Sequence, residues 1–124
     1  MTLIDSNIFL EVLLGRERYR ECEELLERVK RGTEEAFMSR FSLYSIELLL
    51  ARLRRFDALT IFLSTLSTFK GLSILTTSIS DDRRIVQYMQ KTGLDFDDAL
   101  NYFIAKKHRL KASSASTKIL TKQI

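Results

Sequence analysis

An α/β fold with a central parallel sheet is what this sequence predicts, and three observations carry that prediction. Short apolar, strand-like stretches occupy residues 2–5, 36–39 and 72–76. Each is followed by a helical pattern, so strand and helix alternate instead of falling into separate blocks. Alternation of this kind requires crossover connections, which set strands parallel and lay helices over both faces of the sheet. With 124 residues, 45% of them hydrophobic, the chain suits one domain over residues 1–124 with a core of its own.

The elements follow in order. Residues 2–10 read TLIDSNIFL, an apolar strand that ends on Asp5 before the Ser6-Asn7 step hands over to a helix. Residues 17–30 form a charged amphipathic helix with Cys22, Leu25, Leu26 and Val29 on one face, closed by Gly32. After the second strand, residues 41–53 and 56–69 read as two packed helices joined near Arg54-Arg55, with Gly71 ending the second. Ser80 ahead of Asp81-Asp82 marks a helix start, continuing through Ile85, Val86 and Met89 to a stop at Gly93. The next helix covers residues 95–108 and carries Ala99, Leu100, Phe103 and Ile104 as its apolar stripe. The final segment, KASSASTKILTKQI, is small and polar where another strand would complete the sheet.

Composition narrows the function classes. No apolar run approaches the roughly 18 residues of a spanning helix and no charged-then-apolar leader opens the sequence, so a cytoplasmic protein with no membrane partner is expected. The single cysteine, Cys22, cannot form an internal disulfide, and its neighbours Glu21 and Glu23 would raise its thiol pKa instead of activating it. Twenty Lys+Arg against sixteen Asp+Glu give a net charge of +4, a modest excess that favours a polyanion. Asp98 is the last carboxylate, and Lys106, Lys107, Arg109, Lys111, Lys118 and Lys122 follow it. This basic stretch reads equally well as a helix end whose cations complement the dipole or as a nucleic-acid footprint.

Three acids sit where a metal-dependent hydrolase would need them. Asp5 ends a strand, at the sheet edge where open α/β folds keep their active sites, Glu47 lies in the apolar helical run SIELLL, and Asp98 opens a later helix with Asp97 beside it. Hydrolysing a phosphodiester calls for an activated water and neutralisation of charge growing on phosphate oxygens, and a carboxylate-held divalent metal does both. Mg²⁺ and Mn²⁺ prefer oxygen ligands and keep several waters, so three or four convergent carboxylates suffice. Each acid has a plainer reading as well. Asp5 serves equally as a helix cap, Asp97 and Asp98 as first-turn acids favoured by the dipole, and Glu47 as part of an exposed stripe.

Taken together, LIDSNIFLEVLL, SLYSIELLLARL and GLDFDDALNYFIAKK resemble, in order and spacing, the PIN-domain family and within it the VapC-like ribonucleases of prokaryotic toxin-antitoxin systems. The resemblance covers residues 1–111. It implies a three-layer α/β/α sandwich around a parallel sheet and Mg²⁺- or Mn²⁺-dependent cleavage of RNA. Frequent homo-oligomers, usually dimers, and a small antitoxin partner are also implied. Carried over by position, Asp5, Glu47 and Asp98 match the three acids that hold the metal, Asp97 is a helper, and Ser6 and Asn7 match the polar residues that orient the first acid. Arg40 and Lys106 are the candidates for contacting the RNA backbone, with solvated surface as the competing reading of each. His108 receives no catalytic role, because metal-dependent hydrolysis needs none.

The tail departs from the family, whose members continue into a strand and a fourth acid. Here ASSASTKIL occupies that place, with Ser116 and Thr117 near the acid's position, so the last strand is expected to be missing or altered. One permitted codon choice for ASSASTKILTKQI, read two bases later, spells IVSFDKDFDKTD, the family's strand and acid; a one-base deletion near Ala112 would therefore produce this tail. The gene sequence tests that reading directly. Losing a strand forfeits about 1.5–3 kcal/mol per large buried side chain and exposes an edge, which favours self-association. Losing the fourth acid leaves three carboxylates, so a weakened or empty metal site is expected. The alternative is a catalytically silent PIN-like module that binds RNA or protein. A phosphoacceptor of response-regulator type fits less well, because neither paired acids near the start nor a lysine on a late strand is evident.

Overall fold

The computed structural model describes residues 1–112 of the chain. Ten elements follow one another: β1 (Thr2–Leu3), α1 (Ser6–Leu13), α2 (Tyr19–Arg31), β2 (Ala36–Ser39), α3 (Arg40–Arg52), α4 (Phe56–Leu66), β3 (Leu72–Leu75), α5 (Ile79–Thr92), α6 (Phe96–His108) and β4 (Lys111–Ala112). The sheet runs β3-β2-β1-β4 with every neighbouring pair parallel. A fourth strand does therefore begin after α6, its Lys111 beside Thr2 and Ala112 beside Leu3. The expectations for Ser116, Thr117, Lys118, Lys122 and the altered strand beyond Ala112 lie outside the described residues.

Strand periodicity divides the core into two layers. Successive strand residues point to opposite faces, and here Leu3 and Phe37 join one apolar cluster while Ile4, Ala36 and Met38 join the other. The first cluster is closed by α5 and α6 through Ile85, Ala99, Leu100, Phe103 and Ile104. The second is closed by α1 to α4, with Ile8, Phe9, Val29, Ile46, Leu50 and Phe62 buried. The result is the three-layer α/β/α sandwich expected from the motif resemblance.

Local chemistry sets the helix ends. The four apolar residues expected on α2 are its buried residues, and the helix closes on Gly32 in the left-handed region at φ 84°. Ser39, fully buried, caps α3 by accepting the Ser42 N–H at 2.9 Å, and its hydroxyl donates to Ser42 Oγ at 3.0 Å. The start of α5 differs from expectation. Ser78, not Ser80, is the cap, because Ser78 and Asp81 have the spacing of a capping box in which each side chain accepts the other's backbone N–H. Asp81 also accepts a hydrogen bond from Lys107 at 3.2 Å, which fastens α5 to the end of α6.

Gly71 is the tightest backbone passage. Its N–H donates to the Val29 carbonyl at 2.9 Å while its own carbonyl accepts from Ala36 at 2.7 Å. A Cβ at this position would lie 2.3 Å from the Glu34 carbonyl oxygen and 2.9 Å from that of Val29. Both obstacles are main chain, so relief requires α2 and the turn that carries Glu34 to shift. Gly71→Ala is expected to cost about 1–3 kcal/mol, on the scale of overpacking, read as a lowered urea midpoint; an unchanged midpoint contradicts this close approach. Among the described residues no helix is long and apolar enough to cross a membrane.

Candidate metal centre

The parallel register brings three chain segments to one edge of the sheet. Leu3 pairs with Phe37, and Ser39 pairs with Leu75, so Asp5, two residues past Leu3, lies near the level at which β2 and β3 end. There Asp5 is half-buried and caps α1, its Oδ1 accepting the Asn7 N–H at 3.0 Å. The cap reading of Asp5 is thus correct, and it does not compete with a ligand role, since a carboxylate has lone pairs for both. Asn7 orients the acid through its backbone. Ser6 opens α1, half-buried beside it.

Asp98 occupies the third position of α6 and is half-buried. Burial, and then the negative charges of Asp97, Asp95 and Asp5, push its carboxyl above the usual carboxylate range. Asp5 and Asp98 thus lie within electrostatic reach of one another although far apart in sequence. Oxygens of Asp95, Asp97 and Asp98 lie within 4.8 Å of one another, the sole such group of three or more metal-ligating side chains among the described residues. Asp5 and Glu47 stand outside it. Glu47 is half-buried on α3, between fully buried Ile46 and exposed Leu48, so it projects from the boundary of the apolar stripe. Among the described residues, Asp5, Glu47 and Asp98 thus do not form one cluster of ligand atoms.

Two polar groups here were not singled out from the sequence. Asp95, the residue at the N-cap of α6, adds a third carboxylate beside Asp97 and Asp98. The spacing DFDD carried that signal. Asn101, one turn beyond Asp98, has a buried Oδ1 with no hydrogen-bond partner, a costly state for an acceptor. Three crowded carboxylates, with the proton affinity of Asp98 raised, and a neutral oxygen lacking a donor nearby on the same helix offer hard-oxygen donors. That chemistry fits Mg²⁺ or Mn²⁺.

The two candidate RNA contacts are both exposed. The Arg40 guanidinium lies over the Tyr44 ring at 4.5 Å. Lys106 Nζ lies 5.9 Å from the Tyr88 ring centre and 6.0 Å from that of Tyr102. Cys22 behaves as expected of a helix-core thiol: burial pushes its pKa up, Glu11, Glu21 and Asp5 add to that, and Arg18 opposes it.

Comparison with known proteins places the fold. Over 90% of the chain and 87% of its counterpart, the fold matches the sarcin-ricin loop cleaving toxin VapC20 of Mycobacterium tuberculosis with a TM-score of 0.75 at 13% identity. A toxin-antitoxin complex from Klebsiella pneumoniae matches with a TM-score of 0.67 at 24% identity, covering 95% of this chain and 88% of that one. No curated protein sequence gives a significant match. The PIN domain family matches residues 2–120, running past Lys111 into the divergent tail. The chain belongs to the PIN-domain family.

Proposed function

We propose that this chain is a divalent-metal-dependent endoribonuclease of VapC type, with its metal site weakened by the missing fourth acid. The observation that carries this reading is the crowding of Asp98 by Asp97, Asp95 and Asp5. Burying like charges beside one another is unfavourable, and a bound cation removes the penalty.

In this reading Asp5, Glu47 and Asp98 hold Mg²⁺ or Mn²⁺, and Asp97 helps. When bound, the metal supplies an activated water and charge neutralisation at the phosphate. The protein contributes fixed donors: the Asn7 N–H sets the rotamer of Asp5, and the Ser39 cap anchors α3 and with it Glu47. Arg40 and Lys106, both exposed, hold RNA phosphates.

A small antitoxin is the proposed protein partner, supported by the likeness to a toxin-antitoxin complex. An apolar cleft of about 240 Å³ lined by Phe9, Val12, Leu26, Ile61, Phe62 and Phe69 offers it a seat. A homodimer is supported by the exposed stripe of Phe41, Tyr44 and Leu48 on α3. The single domain over 1–124 and a cytoplasmic location belong to the same proposal.

Titration calorimetry with Mn²⁺ tests the site. Weak, saturable binding that disappears in Asp98→Asn is expected. No binding, or binding indifferent to Asp98→Asn, would contradict the metal-centre reading, and tight binding would contradict the impairment. The second reading, a silent PIN-like module binding RNA or protein, is favoured by the absence of any carboxylate after Asp98; it predicts RNA binding that survives Asp98→Asn with no metal dependence.

A further inference from the structure

Outside the acid cluster, α5 and α6 build a second feature along their shared seam. Tyr88 and Tyr102 meet edge to face with ring centres 5.3 Å apart, both half-buried. Lys106 stands over the two rings. Alongside, Arg84, Gln87, Tyr88, Lys91 and Phe103 line an open cleft of about 310 Å³. Arg84, Lys91 and Lys106 are exposed, and no carboxylate lines the cleft.

The helical spacing gives this patch a direction. Asp98, Tyr102 and Lys106 are four residues apart, so they form one stripe up α6, about 6 Å per step. On α5, Arg84, Tyr88 and Lys91 form the facing stripe by the same rule. Asp81 near the start of α5 bonds Lys107 near the end of α6, so the helices run antiparallel: Lys91 lies toward the acid end of the seam, and Arg84 and Lys106 lie beyond the two rings.

We propose that this seam is a single-stranded RNA track that delivers the strand to the acid cluster, with bases stacked on Tyr88 and Tyr102 and phosphates held by Arg84, Lys91 and Lys106. It rests on the ribonuclease reading for its direction. Charge selects the occupant: three cations with no ion pair among the described residues, around an aromatic pair, match a phosphate backbone with unstacked bases, whereas a duplex hides its base faces. Lys107 is already engaged by Asp81 and is left out of the track.

The test is fluorescence anisotropy of a labelled mixed-sequence single-stranded RNA in EDTA, where cleavage cannot occur. Wild type is expected to bind with steep salt dependence. Arg84→Glu combined with Lys106→Glu is expected to weaken binding at least tenfold and to flatten the salt slope. Tyr102→Ala is expected to weaken it about tenfold while Tyr102→Phe binds as wild type, which separates lost stacking from lost folding. Arg31→Glu, on the exposed end of α2, should bind as wild type. The proposal is overturned if wild type does not bind, if the seam variants bind like Arg31→Glu, or if an RNA duplex binds more tightly than the single strand. Because binding is read without metal, failure here leaves the nuclease reading to its own test: metal-dependent cleavage lost in Asp5→Asn.

Discussion

Asp98→Asn is expected to remove RNA cleavage by about 100-fold or more while making the metal-free protein more stable. Loss of activity follows from removing a ligand, since changing even the partners of ligands costs roughly 10–100-fold. The gain in stability follows from the crowding. The folded pKa of Asp98 is raised by burial and by Asp97, Asp95 and Asp5, so between its unfolded and folded values the native state binds the extra proton. Stability therefore falls as pH rises through that window, and the penalty is fully present above the folded pKa. Asparagine carries no charge and escapes it. Thermal denaturation in EDTA at pH 7 should show the variant melting at a higher temperature than wild type. Below the usual carboxylate range of about 3.9 the difference should vanish. A variant that melts lower at pH 7 would show that Asp98 makes a stabilising contact in the metal-free fold.

The neighbours Ile46 and Glu47 should separate folding from chemistry. Ile46 is fully buried in the layer closed by α1 to α4, and truncating such a side chain costs about 2–5 kcal/mol. Native domains hold only about 5–15 kcal/mol, so Ile46→Ala should lower the urea midpoint by a large fraction of its value. Whatever protein remains folded should keep its specific activity. Glu47→Gln, at the half-buried edge of the same helix, should change stability by within about 0.5 kcal/mol and abolish cleavage. If Glu47→Gln unfolded the protein as Ile46→Ala does, Glu47 would be a packing residue and the carried-over ligand role would fall.

Much of the layering was legible in the sequence because it follows from periodicity. The buried face of α2 and the bounds of β2 were read correctly because each rests on a simple repeat ending in a recognisable stop or cap. The start of α5 was misplaced by two residues because Ser78, Ser80, Asp81 and Asp82 offer overlapping caps, and only three-dimensional pairing selects Ser78 with Asp81. Strand β1 is shorter than the apolar run, since Ile4 goes on to pack in the core and Asp5 turns out to cap α1. At the site, Asp5 and Asp98 were marked by their positions at element ends, and their mutual proximity required the register of the sheet. The orphaned Asn101 oxygen and the Tyr88–Tyr102 contact had no sequence signature, because each depends on which side chain of another element lies opposite.

Metal-dependent RNA cleavage is the activity proposed for Asp5, Glu47 and Asp98. It is tested most directly by incubating a mixed-sequence RNA with Mg²⁺ or Mn²⁺ and this chain, beside Asp5→Asn and beside an EDTA control. Slow cleavage by the wild-type chain that is lost both in EDTA and in Asp5→Asn is the predicted result. Cleavage that persists in Asp5→Asn, or an intact RNA in every lane at saturating metal, would contradict it.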